Sequence, residues 1–430
     1  MSQTNIAPSQ ASARNRLWHY IAYYGMSEMA QRGTRIITTA LLARLLTPLD
    51  FGVAAIAMTC FELIRVMANA VIAQAVIRVT EERLAGTCIT AWRLMWLLCI
   101  ALAAIQTLIG AAIAFWIGRM DVFIMVSALA CIYLTMPPAL VQYYLLMRAD
   151  GHRTIATIAA SQAIADNVIT IILALLGFGP WAVVLPKLAT TPIWTIGMRR
   201  AQKWSADKSV QPVPARELLQ YALPVLGVEI LTASRMQFDK VLVGAILGIE
   251  ALGIYYFVFN AGIGLSMALT NALSYSLYPH FAAVAASPEQ LWTRLNDSLL
   301  RKAAPIAGAV LLQAAMAPIY VPILFGAKWT ASAWMVSVLC ISQCCKVFAD
   351  TGAQALRAAG NTPFELKGTL AITAFSLTAL AAGLTQSLGT GVVALALASS
   401  IAHLGFAVAA RYRICTSANS SRHASLEVAA

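Results

Sequence analysis

The chain reads as an all-α integral membrane protein, with about twelve transmembrane helices in two parallel six-helix lobes around a central cavity. Three observations predict this. Of 430 residues, 60% are apolar and 11% charged, against roughly 25% charged in a soluble domain. Apolar runs of crossing length, about 20 residues, recur twelve times. Within those runs lie seven basic side chains: Arg32, Arg35, Arg65, Lys187, Arg235, Lys240 and Lys346. Facing lipid, they would cost about 20 kcal/mol in total at roughly 2.5–3.5 kcal/mol each. They must meet acids or an aqueous lumen instead.

The spans run Trp18–Leu46, Phe51–Ala75, Trp92–Gly118, Val122–Met147, Thr154–Leu176 and Pro180–Met198 in the first half. Leu218–Leu247, Leu252–Pro279, Ala303–Phe325, Ala333–Leu356, Leu366–Leu384 and Val392–Ala410 follow in the second. Helices are the only choice, because open strands leave backbone groups unpaired in hydrocarbon. Twelve crossings place the termini and the even-numbered loops on one side. That side carries twenty Lys and Arg, and the other three: Arg44, Arg119 and Lys328. The positive-inside rule therefore makes both termini cytoplasmic. The first sixteen residues are polar and lead into no signal-type cleavage site, so the first span is expected to stay.

The gap Arg199 to Arg216, with Lys203, Asp207, Lys208, Pro212 and Pro214, divides the spans six and six. Residues 1–200 form an N-lobe, 201–216 a cytoplasmic linker, and 217–430 a C-lobe with a short tail. The halves echo each other. At an offset of 201 residues, Tyr20 meets Tyr221, Glu28 meets Glu229, Leu41 meets Leu242, Leu46 meets Leu247 and Gly52 meets Gly253. LMRADG (Leu146 to Gly151) and ALRAAG (Ala355 to Gly360) each close the fourth span of a half. Six-span halves start and end on one side, so the repeats are parallel, a transporter arrangement. Pro137–Pro138, Pro186, Pro192, Pro224, Pro318 and Pro322 are expected to kink their spans. Ser287-Pro288-Glu289-Gln290 opens a short helix, with Leu291, Trp292, Leu295 and Leu299 on one side, expected to lie on the cytoplasmic membrane interface.

The buried charges fall in stripes. Glu28, Arg32, Arg35 and Thr39 share one face of the first span, and Thr59, Glu62, Arg65 and Asn69 one face of the second. Glu229, Thr232, Arg235 and Asp239 do the same in the seventh, with Lys240 adjoining; the eighth offers Asn260, Asn271 and Ser274. Two readings compete. In one, Glu28–Arg32, Glu62–Arg65, Arg235–Asp239 and Lys346–Asp350 are structural ion pairs at helical spacing. Arg35, Lys187 and Lys240 then lack an acid at such spacing, although Asp166 of the fifth span is available to Lys187 or to a proton. In the other, surplus cation in a polar cavity attracts an anion, and guanidinium suits phosphate through paired hydrogen bonds. Arg32, Arg35, Arg65, Arg235 and Lys240 are the candidates for that grip. Glu28, Glu62, Asp166, Lys187, Glu229, Asp239, Lys346 and Asp350 are candidates for cavity lining or coupling.

The runs ARLLTPLDFG (Ala43 to Gly52), FDKVLVGAILGIEALGIYYF (Phe238 to Phe257), YPHFA (Tyr278 to Ala282), LFGAKWTASA (Leu324 to Ala333) and LRAAGNTPF (Leu356 to Phe364) carry a resemblance. The chain resembles the polysaccharide-export branch of the multidrug/oligosaccharidyl-lipid/polysaccharide flippase superfamily, the lipid-linked oligosaccharide flippases. The resemblance implies two six-helix lobes, alternating access and a cationic lumen in a multi-pass protein of the bacterial inner membrane. It implies as substrate an undecaprenyl-diphosphate-linked oligosaccharide destined for exopolysaccharide, capsule or lipopolysaccharide. It implies no cofactor beyond coupling to an ion gradient, and as partners membrane lipid and the polysaccharide polymerase and export machinery.

Alternatives are weighed on the same residues. A drug or organic-cation exporter of the superfamily should carry surplus acid, yet seven bases face six acids in the spans. A glycan polymerase or ligase should carry a large outer loop, and every outer gap is short. The net charge of +12 is spread through short loops rather than gathered on one face, which disfavours nucleic acid. Eight cysteines show no metal-ligand spacing, and no catalytic constellation is visible.

Overall fold

A computed structural model of the chain describes residues 34–70, 76, 79–206 and 209–429. Glu28 and Arg32 lie outside the described residues, as do the side chains of Asn69, Glu229 and Arg235. Described residues form helices α1 (34–45), α2 (Pro48–Ala70), α3 (Glu81–Ile117), α4 (Met120–Thr135), α5 (Pro137–Arg148), α6 (His152–Leu175) and α7 (Trp181–Ala201). The second half continues with α8 (Ala215–Ala261), α9 (Ile263–Ala282), α10 (Pro288–Ser298), α11 (Ala304–Tyr320), α12 (Ala333–Ala358), α13 (Thr362–Leu384) and α14 (Leu388–Ala429). Eight helical runs among the described residues are long and apolar enough to cross a membrane. Counting the proline-broken pair α4 and α5, bent by 55°, as one span makes nine. The longest, Met236–Ala282, contains a break at Gly248, whose φ of 85° and ψ of −175° end one helical segment and start the next. That backbone conformation is one an L side chain avoids, so the glycine at this turn has a steric cause. The protein is all-α and membrane-spanning.

Residues fall into two compact units. One comprises residues up to Leu45 with Ile56–Ser234; the other comprises Leu46–Ala55 with Arg235–Ala430. In the first, Gln106 of α3 donates to the Val126 carbonyl of α4 (2.8 Å) and accepts from the buried Tyr133 hydroxyl (2.8 Å), which also lies 3.1 Å from the Phe61 carbonyl of α2. A buried amide and phenol are thereby satisfied while three helices are joined. Residues 211–217 meet the start of α3: Thr90 donates to the Val213 carbonyl (2.6 Å), and Arg83 pairs with Glu217 (2.7 Å).

In the second unit, three of the sequence runs that carry the resemblance meet. Thr47 caps α2 with Pro48 as first residue, its N–H and hydroxyl both donating to Asp50 (2.9 and 2.8 Å) while the Asp50 N–H donates back (3.2 Å). This is a reciprocal capping box. The start of α2 then packs backbone to backbone on the turn after Gly248. A Cβ on Gly52 would stand 2.0 Å from the Ile249 carbonyl oxygen, and one on Gly253 1.8 Å from that of Pro48. Beside this contact, Trp329 stacks on Phe257 (3.9 Å between centroids) and Phe51 meets Trp329 edge-on (5.5 Å). The Lys328 ammonium donates to the Leu46 carbonyl, closing the knot.

A second core joins α9, α10, α12 and α14 through Leu277, Phe281, Leu291, Leu295, Val347 and Phe406. It corrects one expectation. Helix α10 starts where predicted, the Ser287 hydroxyl accepting from the Gln290 N–H, but Leu291 and Leu295 are 2% and 1% exposed. Its apolar side is sealed against protein rather than laid on lipid.

Gly253→Ala should lower stability by about 1–3 kcal/mol, the usual cost of overpacking. Gly308→Ala, where an added Cβ meets nothing within 4 Å, should melt at or above the wild-type temperature. Thermal melts of the purified variants check both, and equal melting temperatures would refute the close contact.

Candidate functional site

Every membrane-depth acid whose side chain is described is paired with a base. On α2, Arg65 grips Glu62 one turn earlier through Nε (3.2 Å) and Nη2 (2.7 Å), with the guanidinium 5.9 Å from the Phe61 ring centroid. Both side chains stay partly accessible, at 40% and 33%. Lys187 of α7 pairs with Asp166 of α6, the inter-helix option that sequence left open. Lys346 pairs with Asp350 along α12. These pairs join residues on one helix or on adjacent helices of one unit, as the geometry of α-helical neighbours allows.

Lys240 has no acid at helical spacing and finds one in its sequence neighbour, Asp239. It is 4% exposed. Its ammonium lies 3.2 Å from Asp239 Oδ1, donates to the Met236 carbonyl (2.9 Å) and sits 3.9 Å from the Phe259 ring centroid. The Lys240 N–H donates to the same Oδ1 (2.8 Å), and the Tyr255 hydroxyl donates to Asp239 Oδ2 (2.7 Å). Asp239 is therefore engaged by its sequence neighbour and a buried phenol. Four charge-assisted contacts around a dry pair make it a structural anchor.

Arg35 stands differently. It is exposed on α1, and among the described residues no acid pairs with it. Near it, Thr34 accepts a hydrogen bond from the Asn167 amide of α6 (3.0 Å), the residue next to Asp166. Helices α1, α6 and α7 thus present Arg35, Asn167 and the Asp166–Lys187 pair within one unit. Asp166 Oδ1 is buried and has no hydrogen-bond partner, so the carboxylate is only half satisfied by Lys187.

In the second unit the polar stripe of α12 runs further than the sequence reading took it. Lys346, Asp350, Gln354 and Arg357 follow at spacings of four, four and three, on one face. Opposite the lower end of that stripe, α9 brings Asn271, Ser274 and Tyr278, and the two helices enclose a cleft of about 420 Å³. Asn260, part of the stripe expected on the eighth span, lies on α8 and donates to the Tyr256 carbonyl of that helix (2.8 Å). Gln354, Arg357 and Tyr278 were missed as site residues, although the i+4 and i+3 continuation beyond Asp350 was there to be read.

The contrast between wet and dry pairs is testable. Lys240→Met leaves a buried carboxylate unpaired and should cost about 3–5 kcal/mol, with much of the loss recovered by adding Asp239→Asn. Glu62→Gln, at a half-exposed pair, should cost no more than about 1 kcal/mol. Thermal or denaturant unfolding of the purified variants provides the comparison.

Comparisons with known proteins fit this architecture. Against solved structures, the chain is similar to the lipid II flippase MurJ in an inward closed conformation (TM-score 0.69, 11% identity, 91% of this chain and 89% of that one). It is also similar to an inward-facing multidrug resistance MATE family transporter of the MOP superfamily (TM-score 0.58, 14% identity, 92% and 94%). At such identities the likeness establishes the fold, that of the MATE and MurJ proteins. Among curated sequences, the succinoglycan biosynthesis transport protein ExoT of Rhizobium meliloti (strain 1021) is 25% identical over 327 residues, 73% of this chain. The chain spans 63% of that relative's length. The family model described as polysaccharide biosynthesis protein matches residues 41–334, a range that takes in the capping box, the glycine contact, the aromatic knot and the Asp239–Lys240 anchor. The chain belongs to this polysaccharide biosynthesis protein family.

Proposed function

We propose that the protein is a flippase that moves an undecaprenyl-diphosphate-linked oligosaccharide across the bacterial inner membrane by alternating access, loading from the cytoplasmic side. The observation that carries this reading is the pair of accessible guanidinium groups at membrane depth, Arg35 and Arg65. Bilayer hydrocarbon would reject both, so their exposure is to a hydrated lumen. There a guanidinium offers a diphosphate paired charge-assisted hydrogen bonds. Arg65 is held by Glu62 at a half-exposed site, where an ion pair is worth little and an incoming phosphate can compete for the fork. Arg32 is assigned to the same grip by the helix face it shares with Arg35 in sequence. Lys240, engaged and dry, serves the site by fixing Asp239.

The family, the transport role printed for ExoT and the flippase role printed for MurJ support a lipid-linked cargo. The excess of Lys and Arg in the even-numbered loops supports cytoplasmic termini. A cation exporter would want an unpaired acid in its lumen; Glu62, Asp166, Asp239 and Asp350 all have bases as partners.

In cells whose surface polysaccharide depends on this protein, Arg35→Ala and Arg65→Ala should each cut polysaccharide at least tenfold while membrane insertion stays normal. Immunoblots of membranes and quantification of the polymer read this out. Normal polymer from Ala variants at all of Arg32, Arg35, Arg65, Arg235 and Lys240, tested singly, would remove the cationic grip.

A further inference from the structure

The cleft between α9 and α12 carries polar side chains at a membrane helix pair that is ordinarily apolar throughout. Its walls are Asn271, Ser274, Tyr278, Pro279, Gln354 and Arg357. The apolar row Leu273, Leu277 and Phe281, buried against α12 and α14, fixes the rotation of α9, so the polar row beside it is presented to the cleft. On the α12 side, Val347, Ala355 and Leu356 are buried in the same core, which fixes the stripe from Lys346 to Arg357.

The groups in the cleft are unspent. Asn271 and Gln354 line it with side-chain amides, each both donor and acceptor. Tyr278 is 45% exposed, offering a ring face with a hydroxyl at its tip. Arg357 is fixed by Glu365 through Nε and Nη2, which leaves other N–H groups of its five-donor fork free. Two amides, a hydroxyl, a phenol ring and a guanidinium form the donor and acceptor set that a polyhydroxylated ring requires. The volume falls within the range of small-ligand sites, about 300–1,000 Å³.

We propose that this cleft is a saccharide subsite, which receives the sugar attached to the diphosphate of a lipid-linked glycan. The inference rests on the flippase reading and adds to it the place where the glycan is recognised. Asn271 and Gln354 bracket ring hydroxyls as combined donors and acceptors. Tyr278 stacks against the apolar face of the ring. Arg357 takes a hydroxyl or an acidic substituent at the cytoplasmic end, the side assigned to it by the positive-inside count.

The test uses the full chain in lipid nanodiscs and four soluble-tail probes: farnesyl diphosphate, and farnesyl diphosphate carrying glucose, galactose or N-acetylglucosamine. At least one glycosylated probe should bind the wild type about tenfold more tightly than bare farnesyl diphosphate. The double variant Asn271→Leu/Gln354→Leu should erase that advantage and keep bare-probe affinity within twofold. The retained bare-probe affinity, with an unchanged melting temperature, certifies its fold. If no sugar improves on the bare probe, or if the advantage survives in the double variant, the subsite is overturned and the flippase reading stands. If the wild type binds none of the four, the flippase reading itself has failed and the subsite falls with it.

Discussion

A charged group at membrane depth must be either neutralised or hydrated, because hydrocarbon accepts it only at a cost of several kcal/mol. Both solutions appear in this chain, and the choice between them sorts its residues by role. Asp239 and Lys240 are neutralised in the dry: their charges meet each other, a phenol, a backbone carbonyl and an aromatic face. Glu62 and Arg65 pair while a third or more of each side chain remains accessible. A dry pair broken from one side strands a charge, so it fixes the helix that bears it. A wet pair can be exchanged for another partner at little cost. Anchors and grips therefore use the same chemistry, and solvent access separates them.

The runs that carry the family likeness turn out to be scaffolding. Thr47 and Asp50 start α2, Gly52 and Gly253 let two backbones touch, and Phe257, Trp329 and Phe51 seal the contact. None of these groups is suited to gripping a diphosphate. Membership in the family consequently speaks strongly for the fold and weakly for the cargo, which must be argued from the polar stripes.

Much of this was legible in the sequence. Composition and span length gave all-α membrane architecture, and spacing gave Glu62–Arg65 and Lys346–Asp350, because i to i+3 and i+4 neighbours share a helix face. The Pro137–Pro138 break and the Ser287 cap also follow from local chemistry. What failed needed the third dimension. Residues adjacent in sequence do not face each other on a regular helix, so spacing offers Lys240 no acid; its long stem folds back to reach Asp239 and the preceding turn. The apolar side of α10 looked like a membrane-surface face because its moment says that something apolar covers it, not what. The closing of α9 on Gln354 and Arg357 is tertiary, and Arg357 had been read only as a marker of topology.

The division of labour between a guanidinium grip and an amide-lined cleft has a physical rationale. A diphosphate is common to every glycan built on a prenyl diphosphate, so arginines that hold it confer affinity without choice. Choice requires groups whose hydrogen bonds are met by one pattern of hydroxyls and left unmet by another, since an unmet buried group costs roughly 1–3 kcal/mol. In the proposed subsite the amides of Asn271 and Gln354 make that choice, on the paired faces of α9 and α12 whose rotation is fixed by the core behind them.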